Sequence, residues 1–302
     1  MRCAGRSRTP SGWPGHPGGW RAPYAPRGSW RGRRCCALGS PFAGASRRSR
    51  PGALWLRPRR LAEEAPALLA YPTGDAGAAE EAAEELESAG VDGVAIWGKP
   101  LPGGLSALGK GKSSVVLLCE VGGVEAAAKV RRVDAPVPDL RMEAAMLRAA
   151  NSVGVGPRIL GWGRTVIVME LVEGVPLEEL LRARGLRGAA DAAASALDGA
   201  RALDAAGIDH GELHRPGHHV TVRGREAVIL DFGSASASRR PSNVTSLASA
   251  IARAAGSMWD PELRRALRSY KESLARGESG EAEYREVLRA LGLGRAARQI
   301  SL

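Results

Sequence analysis

The chain has 302 residues and a formal charge of +11, but the excess is confined to its beginning. Residues 1–60 carry 14 arginines with no lysine and no acid, so the remainder holds 29 basic and 32 acidic residues. A mildly acidic folded part argues against a nucleic-acid partner for it, and no run of about 18 apolar residues offers a membrane span.

Residues 1–60, rich in Gly, Pro, Arg and Trp, show no apolar period and predict a disordered basic tail. Three readings fit that composition: an RNA-binding arm with Trp rings for stacking, an Arg-rich transit peptide, or translated G/C-rich sequence upstream of the true start. Cys3, Cys35 and Cys36 fall in this tail and Cys119 stands alone. Without a disulfide framework or paired zinc pattern, the cysteines fit a reducing cytoplasm.

Residues 61–87 read as a linker and leading helix, with "AAEEAAEELESAG" closed by Gly90. Strand-like runs follow in "VAIW", "SVVLLCEV" and "EAAAKVRR", the last two joined through Gly122 and Gly123 as a hairpin. "PDLRMEAAMLRAAN" predicts a helix with Leu140, Ala144 and Leu147 on one face, and "RTVIVMELV" a buried strand. From Pro176 the pattern turns helical in "PLEELLRARG" and "AADAAASALDGARALDAAG", broken by two short strands around Gly224 in "HVTVRGREAVILDFG". Three more helical runs close the chain. Strands first and helices later predict an α+β protein of two lobes, β-rich over 88–172 and mainly helical over 173–302.

"LGKGKSSVV" places Gly109, Lys110, Gly111, Ser114 and Val116 between strand signals, where glycines admit phosphate oxygens to backbone N–H groups. A plain hairpin turn has the same appearance. Lys129 ends "AAAK" on a strand predicted to be buried, so it needs a partner charge, and Glu143 is the first carboxylate on the apolar side of the next helix. "VILDFG" puts Asp231 at a strand end, where a carboxylate can hold a hard cation near phosphates.

In this order and spacing the series resembles the protein-kinase-like family, over roughly residues 88–235. With no A-P-E after the D-F-G, it is more similar to small atypical kinases, the RIO type and archaeal predicted serine/threonine kinases among them. The resemblance implies a two-lobed kinase fold that binds ATP with Mg²⁺ or Mn²⁺ and phosphorylates serine or threonine of a protein substrate, itself included. Gly109, Lys110, Gly111, Ser114 and Val116 would cover the phosphates, and Lys129, positioned by Glu143, would hold them. Met169 would back the adenine pocket, Glu170 and Val172 would offer backbone groups to the base, and Asp231 would bind the metal.

"DHGELHRPGHHV" (209–220) holds four of the five histidines and aligns with the catalytic loop of that family. Glu212 stands where the catalytic aspartate is expected. Gly217 stands where the metal-binding asparagine is expected, and a lengthened loop brings His219 there instead. Imidazole is a poor Mg²⁺ ligand, which makes Mn²⁺ or a single metal the expectation. A pseudokinase acting as a nucleotide-binding module, a small-molecule phosphotransferase, a zinc site on His210, Glu212 and His214, and a His-rich polar loop without chemistry remain alternatives.

Overall fold

The computed structural model describes residues 50–256 and 260–294. The chain enters through a short strand, β1 (Leu54–Leu56), followed by α1 (Pro58–Glu64) and α2 (Pro66–Leu69), each with proline in its first turn. Proline is pre-organised for that position, because its missing N–H would have no helical partner there. Helix α3 (Ala76–Ser88) is capped by Asp75, which accepts the Ala78 N–H, and stopped before Gly90 at φ 85°. Next come β2 (Val91–Ile96), the small pair β3 (Lys99–Pro100) and β4 (Ser106–Ala107), then β5 (Gly109–Lys110).

Strands β6 (Ser114–Val121) and β7 (Val124–Arg131) form the expected hairpin, with Gly122 and Gly123 at φ 58° and 82°. That is the left-handed pair a two-residue hairpin turn requires. Helix α4 (Arg141–Asn151) is followed by β8 (Ile159–Trp162) and β9 (Val166–Glu170). The main sheet is antiparallel in the order β1-β2-β6-β7-β9-β8, with β5 also paired to β6.

After a linker at 171–174 come β10 (Val175–Pro176), α5 (Leu177–Gly188), α6 (Ala190–Ala205) and the one-turn α7 (Pro216–His219). Strands β11 (Val220–Arg223) and β12 (Glu226–Ile229) join β10 in a three-stranded sheet. Helices α8 (Asn243–Ala254), α9 (Pro261–Ala275) and α10 (Glu281–Ala290) complete a mixed α+β, antiparallel architecture.

Period-two alternation settles which side chains of the main sheet go where. Val115, Leu117, Cys119, Ala126, Ala128, Val130, Val166 and Val168 all join one core with Leu61, Leu68 and Leu86 of α1–α3. Residues of the opposite parity, Val116, Lys129 and Ile167, are cross-strand neighbours on the other face. Ile167 belongs to a second core, built from α4, α5, α6, α8, α9, α10 and the late hairpin. Lys129 thus lies on the face of the sheet turned away from α1–α3.

Strand β1 and the start of α1 already lie ahead of the tail boundary expected at residue 60. Residues 61–87 hold the expected leading helix as α3, with the rest of α1 and α2 before it. Leu54–Leu56 pairs with Val94–Ile96, Pro58 and Leu61 are buried, and α1–α3 cover a whole sheet face. Arg50 bonds Glu125 on β7 at 2.6 Å and Glu173 in the linker at 2.9 Å, and packs over Trp97. Three-residue strands and proline-started turns carry too little periodicity to be read from composition. The tail readings for residues 1–49 fall outside the described residues. A chain beginning at residue 61 should melt at least about 5 °C below one beginning at residue 50, followed by circular dichroism, since it loses an edge strand and the burial of Leu56 and Pro58. Equal midpoints would show that β1 contributes nothing.

Candidate active site

Lys129 is buried, and its Nζ lies 2.6 Å from Glu143 Oε1 and 2.8 Å from Asp231 Oδ1. The three groups come from β7, from the first turn of α4 and from the residues just beyond β12. Burial alone would strip the lysine proton, but the two carboxylates outweigh it and hold the ammonium above its ordinary pKa. Burial pushes the Glu143 carboxyl up against the pull of Lys129. Burial also works against ionised Asp231, yet the charge and hydrogen bond of Lys129 prevail and hold that carboxyl below the usual range.

Asp231 has φ 64°, the one left-handed non-glycine among the described residues. An L side chain there is strained by roughly 1–3 kcal/mol, and such strain gathers where a side chain must point in a required direction. Phe232, next in sequence, is buried against the His210 ring at 5.1 Å between centroids. Asp231 Oδ1 is used by Lys129 and by the Gly233 N–H, while Oδ2 has no bond among the described residues and the side chain is 49% exposed.

The loop 209–219 is held from several sides. Asp209 and Ser236 exchange both backbone hydrogen bonds, at 2.9 and 2.8 Å. Asn243 accepts the His210 N–H at 2.8 Å and donates to Asp204 and to the Ile208 carbonyl. Asp204, buried, also accepts the Asn243 and Val244 N–H groups and the Tyr270 hydroxyl, so it caps α8 from a neighbouring helix. Asn243, Asp204 and Tyr270 carry no local motif, and the sequence reading missed them. An asparagine at the start of an apolar helix was the available signal.

Within that frame Glu212 accepts the Ser234 hydroxyl at Oε1, 2.8 Å away, and the His219 Nε2 proton at Oε2, 3.0 Å away. The Ser234 bond, with His219 beside it, holds Glu212 below the usual carboxyl pKa, so it is ionised and able to accept. Ser234 was not foreseen either. His219, expected at the asparagine's place, lies against Glu212, seven residues beyond it in sequence. Its metal role does not follow from the geometry, since Nε2 is used by Glu212 and Nδ1 is shut off from solvent without a partner.

The glycine turn is closed by hydrogen bonds of its own. Gly111 N–H bonds the Ser114 carbonyl at 2.8 Å, and Arg132 Nη1 holds the Gly111 carbonyl at 2.9 Å. Ser114 is buried within β6, and Lys110 Nζ lies over the Tyr71 ring. Of the expected phosphate-loop residues, Gly109 has open space where a Cβ would stand, and Val116 shares the Lys129 face. Met169 pairs with Ala127 on that same face. Glu170 has its N–H on the Arg158 carbonyl and its carboxylate on Arg223, whereas the Val172 N–H and C=O make no backbone bond among the described residues.

These donors fit a nucleotide with one cation. Asp231 Oδ2 is a hard oxygen ligand, Lys129 is charged, and Val172 offers an unpaired donor and acceptor. No group of three His, Cys, Asp or Glu that could hold a metal occurs among the described residues. The zinc arrangement does not assemble: His210 is fully buried with Nε2 donating to the Leu230 carbonyl, and His214 lines a groove on the surface.

Neither models of known protein families nor curated proteins match the chain.

Burial lowers the His210 imidazole from 6.5 to about 4. Its folded pKa is depressed, so the neutral ring stabilises the fold above pH 6.5, and that stability is lost as pH falls from 6.5 through 4. The loss should reach about 3 kcal/mol, read from urea midpoints across that window. A midpoint profile unchanged in His210→Gln would assign the acid sensitivity elsewhere.

Proposed function

We propose that the chain is a two-lobed, kinase-like phosphotransferase that moves the γ-phosphoryl group of ATP to a serine or threonine hydroxyl. The observation that carries this reading is the convergence of Lys129, Glu143 and Asp231, from elements up to 102 residues apart, beside a carboxylate that already holds a serine hydroxyl. ATP with a divalent cation would supply the transferable group and neutralise its charge. Lys129 would bind phosphate oxygens, with Glu143 fixing the ammonium when Asp231 turns to the cation. Val172 would present its backbone to the base, between Met169 behind and Val116 above.

Glu212 is the proton acceptor in this scheme. Its Oε2 is fixed by His219, which leaves Oε1 for the attacking hydroxyl, and Ser234 marks where such a hydroxyl sits. A base within hydrogen-bond reach contributes about 10²–10⁴-fold. One observation favours the alternative of a nucleotide-binding module without turnover: the position expected to hold a second cation carries an imidazole whose free nitrogen is buried.

The two readings separate on Glu212 and Lys129. Purified chain with labelled ATP should show binding and transfer, and Lys129→Met should weaken both. Glu212→Gln should keep nucleotide affinity and lose transfer by at least about a hundredfold. Glu212→Asp should also be impaired, because the shorter arm cannot keep its bond to His219 and reach the hydroxyl together. Wild-type transfer by Glu212→Gln would sink the assignment of the base, and binding without any transfer would leave the module.

A further inference from the structure

Beside the Glu212 loop the surface opens into a groove of ≈ 490 Å³, walled by α5, by loop residues 214–218 and by α8. Arg182, Arg215 and Arg253 enter it from those three elements, with His214 and His218 on the loop wall and Glu178 as its acid. Glu178 is already committed: it bonds Arg182 and lies against the Gly217 backbone, where a Cβ would fall 2.3 Å from its Oε2. Arg215 and Arg253 have no ion-pair partner among the described residues. The groove therefore holds two guanidinium groups, Arg215 and Arg253, that no carboxylate among the described residues neutralises.

Its position ties it to the site. His214 is two residues past Glu212, and the His218 ring is 6.3 Å from the His219 ring, whose Nε2 bonds Glu212. The groove wall and the segment carrying the base are one piece of chain. We infer that the groove binds an acidic segment of a polypeptide substrate, through carboxylate or phosphorylated side chains, and so brings a neighbouring hydroxyl to Glu212; this rests on the phosphotransfer reading.

Guanidinium forks from three directions suit several oxyanions spaced along a chain better than one free ion. A nucleic acid is the weaker fit, because single-strand tracks combine a long basic path with aromatic platforms. Among the described residues no Trp, Tyr or Phe lines this groove, and the chain beyond residue 60 is net acidic.

The test uses the full chain and fluorescein-labelled short peptides in which one serine is flanked by glutamates, by phosphoserines or by glutamines, with a labelled oligothymidylate of matching charge. Fluorescence anisotropy should detect binding of the glutamate and phosphoserine peptides, weakening as salt rises from roughly 0.05 to 0.5 M, and little binding of the glutamine peptide. The double variant Arg215→Glu, Arg253→Glu should weaken acidic-peptide binding by about tenfold or more. Both side chains are exposed, so its melting temperature and ATP affinity should match the parent. Equal binding of the glutamine peptide, or parental affinity in the double variant, would overturn the proposal. Tighter binding of the oligothymidylate through the same arginines would replace the polypeptide with a nucleic acid. Peptide binding is read without turnover, so a chain that binds the acidic peptides yet transfers no phosphate fails the phosphotransfer reading alone.

Discussion

A lysine ammonium inside a fold is tolerated only with counter-charge at hand, and Lys129 is the constraint around which the rest is arranged. Taking one such ion out of water costs several kcal/mol even after relaxation. The chain meets this cost with Glu143 and Asp231, drawn from α4 and from beyond the late hairpin. With two carboxylates on one ammonium, either can turn away and the lysine keeps a counter-charge. Apolar side chains of the same volume would hold these elements together as well. What an ion cluster adds is a charged group at a defined place, which is why it is the feature on which a chemical role is argued.

That placement reaches back to β7. Ala126, Ala127 and Ala128 precede the lysine, so the strand is narrow where helices cover one face and a site must open on the other. Parity does the sorting: a one-residue slip of β7 would put Lys129 into the core with Leu61 and Leu86. The neighbouring strand β9 is held from α3. Glu85 of α3 accepts the Arg164 and Thr165 N–H groups at 2.8 and 2.7 Å, pinning the turn that leads into β9. Gly163 is required there, since a Cβ would fall 2.4 Å from the Glu85 carboxyl carbon.

Much of this was legible in the sequence, for identifiable reasons. Long helices with one apolar stripe, and the Gly122-Gly123 hairpin, follow from local periods and turn chemistry alone. Lys129, Glu143 and Asp231 stood out because each places a charge where the pattern predicts burial. Residues 50–69 did not, because three-residue strands and proline-started turns have no period to find. Ser234, Asn243, Asp204 and Tyr270 owe their roles to contacts across 22 to 66 residues, which no local pattern encodes. The glycine loop stays open to two readings for a related reason: the same spacing serves an open phosphate loop and a tight turn tied to Arg132.

On the proposed phosphotransfer reading, the departures within 209–219 form one coupled change. A glutamate reaches about 1 Å further than an aspartate, and an uncorrected shift of that size can cost on the order of a hundredfold in rate. The loop answers with length. Pro216 starts a single helical turn, α7, that brings His219 rather than a nearer residue against Glu212 Oε2. Gly217 lets Glu178 approach the backbone, which in turn fixes Arg182. The same added residues carry His218 outward and leave Arg215 exposed at the groove. Restoring aspartate without shortening the loop would therefore leave the base short of both partners, while shortening the loop would dismantle the groove wall. Base reach and groove charge are set by one segment, and neither can be changed alone.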